Sequence, residues 1–372
     1  MKNELSSIEL KHVLDEMGFL EGARLDKIIQ HNHDFCFNFY AKAKGNFMLR
    51  IVPGKYVYMT GRRPSNTGAG NFCLSLRKYI INATLESAGQ LSSERIVRLS
   101  LSTKEGRYLL FIELFAKGNI LLCDEEGTII SLLHRQESKE RTLAVKRAYE
   151  PPPGSTNIFE AGPDEIRSLK DSSAESLVKA LARDLGMGGV YAEEACIIAN
   201  IDKETPPKKL AEQDINALHK AIRVIIEKEK EPKAVFRGGE MVNVVPFDLE
   251  YYESCEFVRY PSYNEALDAV LSVEDAGQRK TEHSREYTKN AEKIKNIIQK
   301  QEKSLEKANK TIEENQRKGE IIYEKYGMVK EVLDEINKAR EKHSWAEIKK
   351  RLKGHKTIKS VNEKEGKVII DI

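Results

Sequence analysis

The chain has 372 residues, which points to two or three domains, with 40% hydrophobic and 32% charged residues. Its formal net charge of +3 excludes a strongly basic coat but leaves room for local basic patches. Five scattered cysteines without a CxxC pair, no apolar run near the roughly 18 residues of a membrane helix and no hydrophobic signal core give the reading of a soluble, cytoplasmic protein with no disulfide framework and no membrane span.

In chain order, Leu5–Gly18 is expected as a short amphipathic helix, with Ser6 and Glu9 at capping-box spacing. Apolar runs broken by turn residues then predict strands at Ala23–Gln30, Asp34–Ala41, Phe47–Val52 and Tyr56–Thr60. Pro64–Gly70 reads as a loop, and Phe72–Ala83 has helical spacing. Strands resume at Thr84–Gln90, Arg95–Ser102, Tyr108–Phe115, Asn119–Cys123 and Thr128–Leu133. This β-rich domain, residues 1–150, ends at the stiff boundary Pro151-Pro152-Pro153-Gly154. Residues 164–229 read as a helical domain. Within it, Leu185-Gly186-Met187-Gly188-Gly189-Val190 has the glycine-rich turn of a helix-hairpin-helix module. Gly186, Gly188 and Gly189 would let the backbone turn tightly and offer helix-start amides to a phosphate. The same residues serve equally well as a plain interhelical turn. Residues 233–278 carry short strands (Ala234–Arg237, Met241–Val245) and a helix at Tyr263–Leu271, and are expected to complete the first domain.

Residues 279–372 form the last expected domain, a coiled-coil arm with a small tip. The seam Ala291, Ile294, Ile298, Gln301, Leu305, Ala308, Ile312, Asn315, Gly319, Ile322, Tyr326, Val329, Leu333, Ile336 holds a 3-4 spacing over more than six heptads. An unbroken helix under it would be roughly 70 Å long and is expected to project. From Thr281 to Lys353, 33 of 73 residues are charged, with a net of +5, and none lies on the seam. On charge alone a solvated coiled-coil face is the better account. The tip is expected as a helix at Ser344–Lys353 and strands at Thr357–Val361 and Lys367–Ile370, too short to cover the seam. The fold class is thus α+β: a β-rich first domain, a helical module and a long projecting coiled-coil helix.

Several motifs in one order resemble those of the NFACT family, which includes RqcH and NEMF proteins and is also labelled fibronectin-binding protein A-like. They are Ser6-Ser7-Ile8-Glu9, Gly22-Ala23-Arg24-Leu25-Asp26-Lys27-Ile28, Leu76-Arg77-Lys78-Tyr79, Gln90 with Glu94-Arg95-Ile96-Val97, and Ile112-Glu113-Leu114 with Gly118-Asn119-Ile120. Tyr191-Ala192-Glu193-Glu194, Tyr263-Asn264-Glu265-Ala266-Leu267-Asp268 and Lys318-Gly319-Glu320-Ile321-Ile322-Tyr323 follow. The resemblance covers essentially the whole chain and implies a glycosylase-like first domain. It also implies binding to tRNA and to large ribosomal subunits obstructed by peptidyl-tRNA, and recruitment of tRNA for mRNA-free C-terminal tailing. The family's coiled coil continues into a return helix and a further RNA-binding domain, so the chain is expected to be a fragment. Its bare seam would then frays or pairs with a second copy in a homodimer.

The family's Asp-Arg pair linked to tailing falls on Glu94 and Arg95, and an early Asp falls on Glu9. The added methylene in each acid leaves tailing less secure than binding. Arg95 could grip a phosphate or stack on a base, whereas in isolation it is an ordinary arginine at a strand start. Arg77 and Lys78, with the three hairpin glycines, are candidate phosphate contacts that would position tRNA without reading its sequence. No catalytic set, P-loop, cofactor site or metal cluster is read; His31 and His33 are taken as surface residues. Formamidopyrimidine-type glycosylase chemistry lacks its N-terminal proline and its four-cysteine finger here, and matrix adhesion has no secretory feature behind it. A coiled-coil nucleic-acid-binding scaffold is the main alternative, and salt-dependent tRNA binding separates the readings.

Overall fold

A computed structural model describes residues 2–63, 68–138, 141–152, 156–355, 357–362 and 365–371, with all their side chains except those of 272–294, 296 and 297. Part of the loop expected at Pro64–Gly70, the second half of the proline boundary and the seam side chains of Ala291 and Ile294 lie outside the described residues. The chain divides into two units, residues 1–278 and 279–372.

The first unit opens with α1 (Ser7–Met17), whose expected capping box is complete: Ser6 Oγ accepts from the Glu9 amide at 3.2 Å, and Glu9 Oε2 accepts from the Ser6 amide at 2.8 Å. Nine antiparallel strands follow, β1 (Arg24–His31), β2 (Asp34–Ala41), β3 (Gly45–Val52), β4 (Tyr56–Thr60), β5 (Thr84–Gln90), β6 (Ile96–Ser102), β7 (Arg107–Glu113), β8 (Asn119–Asp124) and β9 (Ile129–Leu132). They form one sheet in the order β4-β3-β2-β1-β5-β6-β7-β8-β9. Helix α2 (Asn71–Ile80) stops short of the expected Ala83, because the backbone turns extended at Ile81 (ψ 141) and left-handed at Asn82 (φ 63). The far end of the sheet is buried on both faces. Leu110, Ile112, Ile120 and Leu122 enter the main core, while Phe111, Leu121 and Cys123 enter a smaller one on the other side. That explains why Ile120–Cys123 is apolar at every position rather than alternating. A short ladder, β10 (Gln136–Glu137) with β11 (Thr142–Leu143), follows.

The helical segment comprises α3 (Pro163–Arg167), α4 (Leu177–Arg183), α5 (Gly189–Ala199) and α6 (Glu212–Glu227). Its core takes in Ile8 of α1 together with Val235, Val245 and Phe247. Val235 and Val245 come from the sheet β13-β12-β14, made of β12 (Lys233–Arg237), β13 (Glu240–Val245) and β14 (Glu256–Arg259), and Phe247 follows β13. Neighbouring residues of β13 part company: Val244 packs in the main core and Val245 in the helical one. Segment 233–278 therefore seals both cores at once. The helix α7 (Tyr263–Glu324) begins in this unit. Glu16 accepts from the Tyr263 and Asn264 amides at 2.7 and 2.9 Å, supplying the partners that a helix start lacks. Asn264 Oδ1 then accepts from the Met59 amide at 2.8 Å, and Asp268 accepts from Thr60 Oγ at 2.6 Å and the Gly61 amide at 3.0 Å. The motif Tyr263–Asp268 thus covers the edge strand β4, a service that open sheet edges need.

The arm corrects two expectations. The short helix at Tyr263–Leu271 and the arm helix are one element, α7, and the seam is not unbroken. It is interrupted at Lys325 (φ −109, ψ 32) before α8 (Tyr326–Lys342). Among the described seam residues, Ile298, Leu305, Ile312 and Ile322 are 48%, 66%, 60% and 45% exposed. Beyond the break, α9 (Trp345–Arg351) and the hairpin β15 (Ile358–Asn362) with β16 (Lys367–Ile370) form a tip core around Val332, Ile336, Ile358 and Val361. Beyond the break the seam residues Val329 and Ile336 are buried together with Val332, whereas the seam residue Leu333 is 53% exposed.

Candidate nucleic-acid interface

A cleft of about 710 Å³ opens in the first unit. One wall is the N-terminal strap Lys2–Ser6, another the turn Ser93–Arg95 before β6, and a third the glycine hairpin leading into α5. Val242, Asn243 and Tyr252 close the floor.

The turn is built to hold its shape. The Gln90 amide group donates to the Glu94 carbonyl at 2.9 Å and to the Ser7 carbonyl at 3.1 Å, tying turn to α1. Ser93, 2% exposed, donates to the Thr156 carbonyl and accepts from the Ile158 amide. Glu94 and Arg95 are therefore carried on a fixed backbone, both half-buried. Arg95 Nη1 lies 2.8 Å from Glu4 Oε1 and donates to the Leu5 carbonyl at 3.3 Å. On the facing wall, Gly186 and Gly188 take φ of 67° and 79°, the left-handed region that favours glycine. A Cβ on Gly188 would also come within 3.3 Å of Ser6 Cβ. α5 starts at Gly189 with no side-chain cap, so its first amides have neither intrahelical nor side-chain partners.

Six of the eight candidate residues are thus brought together: Glu9, Glu94, Arg95, Gly186, Gly188 and Gly189 line one cleft. Two of the eight are not. Arg77 donates through Nε and Nη2 to the Ile28 carbonyl at 3.0 and 2.7 Å, stitching α2 to β1. Lys78 is exposed on the same helix, 5.3 Å from the Tyr79 ring centre, and neither residue lines the cleft. Helical spacing put both on an outer face; it could not show that a bare strand carbonyl waits beside Arg77.

Glu9 reaches the cleft but is sealed into its floor at 2% exposure. Its Oε1 takes Lys2 Nζ at 2.6 Å and the Tyr191 hydroxyl at 3.1 Å. Lys2 Nζ also donates to Asn243 Oδ1 at 3.2 Å, and Asn243 Nδ2 donates to the Tyr252 hydroxyl at 2.9 Å. Burial first, then the Glu9 carboxylate, push the Tyr191 hydroxyl's pKa well above its usual value, so it stays a donor. Glu9 joins strap, hairpin helix and β13 through this network. Lys2, Asn243 and Tyr252 gave no sequence signal, since a lysine at a chain start reads as solvated. Tyr191 had one: it directly follows the glycine hairpin.

The cleft's cations are all paired within the protein: Lys2 with Glu9, Arg95 with Glu4, and Arg183 with Asp184 at 2.7 Å. Among the described residues no three His, Cys, Asp or Glu side chains gather as a metal site would require.

The chain is 32% identical over its whole length to the archaeal Rqc2 homolog aRqcH of Methanocaldococcus jannaschii, and covers 58% of that protein. Across 94% of its length it is 24% identical to the human ribosome quality control complex subunit NEMF, of which it covers 35%. It therefore spans between about a third and three fifths of the length of these relatives. Among solved structures, the N-terminal part of the fibronectin/fibrinogen-binding protein from Streptococcus suis shares the fold. It matches 72% of this chain and 99% of its own with a TM-score of 0.58 and 21% identity. A family model described as NFACT N-terminal and middle domains matches residues 6–366, which takes in the clamped turn, the glycine hairpin and the arm; the chain belongs to the NFACT family.

Proposed function

We propose that the cleft binds tRNA, and that the protein acts in the cytoplasm in ribosome-associated quality control, on large subunits obstructed by peptidyl-tRNA. The observation that carries this is the Glu94-Arg95 turn, held by Gln90 and Ser93 opposite the uncapped start of α5. An arginine fork fixed in place suits a phosphate or the face of a base, and free helix-start amides suit a second phosphate. Such contacts position a ribose-phosphate chain, and Glu94 beside them can accept from a base edge. The names of the relatives, ribosome quality control subunits among them, support the cellular setting. Recruitment of tRNA for mRNA-free tailing is the fuller form of the same reading. No described helix is long and apolar enough to cross a membrane. The exposed apolar residues between Ile298 and Ile322 are the surface on which a second copy of the chain would pair.

Binding of labelled tRNA across a salt series tests the reading. The wild type should bind at low salt and lose affinity steeply as salt rises. Arg95→Ala should weaken binding by about tenfold, within the range for one lost arginine contact, without lowering the melting temperature. Arg77→Ala should instead lower stability and spare affinity. Absence of a salt-dependent complex would return the chain to a scaffold role.

A further inference from the structure

The strap along the cleft has an unusual construction. It is pinned at both ends: Lys2 by Glu9, Asn243 and the Tyr56 hydroxyl on its carbonyl, and Leu5, fully buried, by its amide on the Lys55 carbonyl at 3.0 Å. Between the pins, Asn3 and Glu4 are exposed. The Glu4 side chain is 51% exposed, yet its carboxylate sits 2.8 Å from Arg95, whose side chain is 25% exposed. Among the described residues, Arg95 is the group paired with Glu4. Lys2 is neutralised by Glu9 below it and Arg183 by Asp184, while Glu4 pairs with the clamped arginine.

Resting on the reading of the cleft as a nucleic-acid interface, we propose that Glu4 is a specificity-determining residue: its carboxylate occupies the place on Arg95 that a ligand phosphate takes. Binding then proceeds by exchange. Glu4 swings into water, which its exposure allows, and a phosphate of the RNA replaces it on the guanidinium. An ion pair this exposed is weak, so the exchange costs little for a ligand held at several points. A lone phosphate or a loosely held polyanion gains only the one contact and has to displace a carboxylate that the strap never lets drift away. The internal anion thereby favours ligands that also engage the opposite wall.

The test is a two-by-two set on the full chain, read as affinity for labelled unfractionated tRNA at low salt, with melting temperature as the folding control. Glu4→Gln should bind about two- to fivefold tighter than the wild type. Arg95→Ala should bind more weakly, and Glu4→Gln in the Arg95→Ala background should add nothing. A Glu4→Gln gain that persists without Arg95 would mean a general field effect and would overturn the exchange. So would unchanged or weaker binding by Glu4→Gln where Arg95→Ala does weaken it; the cleft reading then stands without Glu4. Wild-type affinity in Arg95→Ala would bring down the cleft reading and the role of Glu4 together.

Discussion

At the scale of single residues, the cleft shows that an acid's role is set by what surrounds it. Glu9 and Glu94 read alike in sequence, yet Glu9 is sealed beneath the strap with Lys2 and Tyr191. Its contribution is to hold walls together, because a buried charge must keep its partner or leave an uncompensated ion in a poor solvent. Lys2→Met should therefore cost about 3 kcal/mol of stability, and adding Glu9→Gln should return part of that loss, since the orphaned charge is then gone. Denaturant midpoints of the two variants decide it; a loss well under about 1 kcal/mol for Lys2→Met would show that water relieves Glu9. The capping box was legible at Ser6 and Glu9 because it is a local rule. The lysine partner was not, because Lys2 gains its meaning only when β13 delivers Asn243 beside it.

At the scale of elements, the strap depends on a contact between two turns. Gly54, in the turn between β3 and β4, donates to the Glu113 carbonyl at 3.1 Å, and the adjacent Lys55 carbonyl carries the strap residue Leu5. The partner turn between β7 and β8 contains Gly118 at φ 69°, where a Cβ would lie 2.0 Å from the Gly54 nitrogen. Backbone cannot retreat from such a clash as a flexible side chain can. Gly118→Ala should cost more than about 4 kcal/mol, combining strain at a left-handed residue with loss of the turn contact. Thermal unfolding would check this, and a cost near that of an ordinary surface substitution would refute it. Nearby, Glu113 is bound at 2.6 and 3.0 Å by the guanidinium of Arg141. The sequence run Ile112–Ile120 is thus accounted for by packing and pairing around a turn.

At the scale of the molecule, the two units are built on different resources. Residues 1–278 bury large cores, whereas the tip rests on Val332, Ile336, Ile358 and Val361 with Trp345 packed against them. Trp345 is the single tryptophan of the chain, so its fluorescence reports the tip. Ile336→Ala should lower tip stability by about 2 kcal/mol through lost burial and a cavity. Leu305→Gln with Ile312→Gln should leave the tip's unfolding unchanged, because those side chains touch solvent. The same pair should reduce any self-association seen by sedimentation. A tip midpoint that moved with the seam pair would show that this surface is covered within one chain.

The sequence by itself determined most of the elements and their order, but not the short strands β10, β11 and β14 or the break at Lys325. Strand runs, the capping box, the glycine turn and the seam's period are local patterns, fixed by what a few neighbouring residues can do. From sequence, Arg95 stands at the start of a strand; in the structure that strand begins at Ile96, and Arg95 belongs to the turn with Glu94. Tertiary structure decided which charged groups are bonded within the fold. Arg77 is held by a strand carbonyl, and Glu9 by a lysine and by a tyrosine 182 positions away. On the tip helix the core takes Val332 beside the seam residue Ile336 and leaves Leu333 exposed. The physical reason is common to all three. Whether a polar or apolar side chain is free depends on the partner that folding brings to it, and that partner comes from elsewhere in the chain.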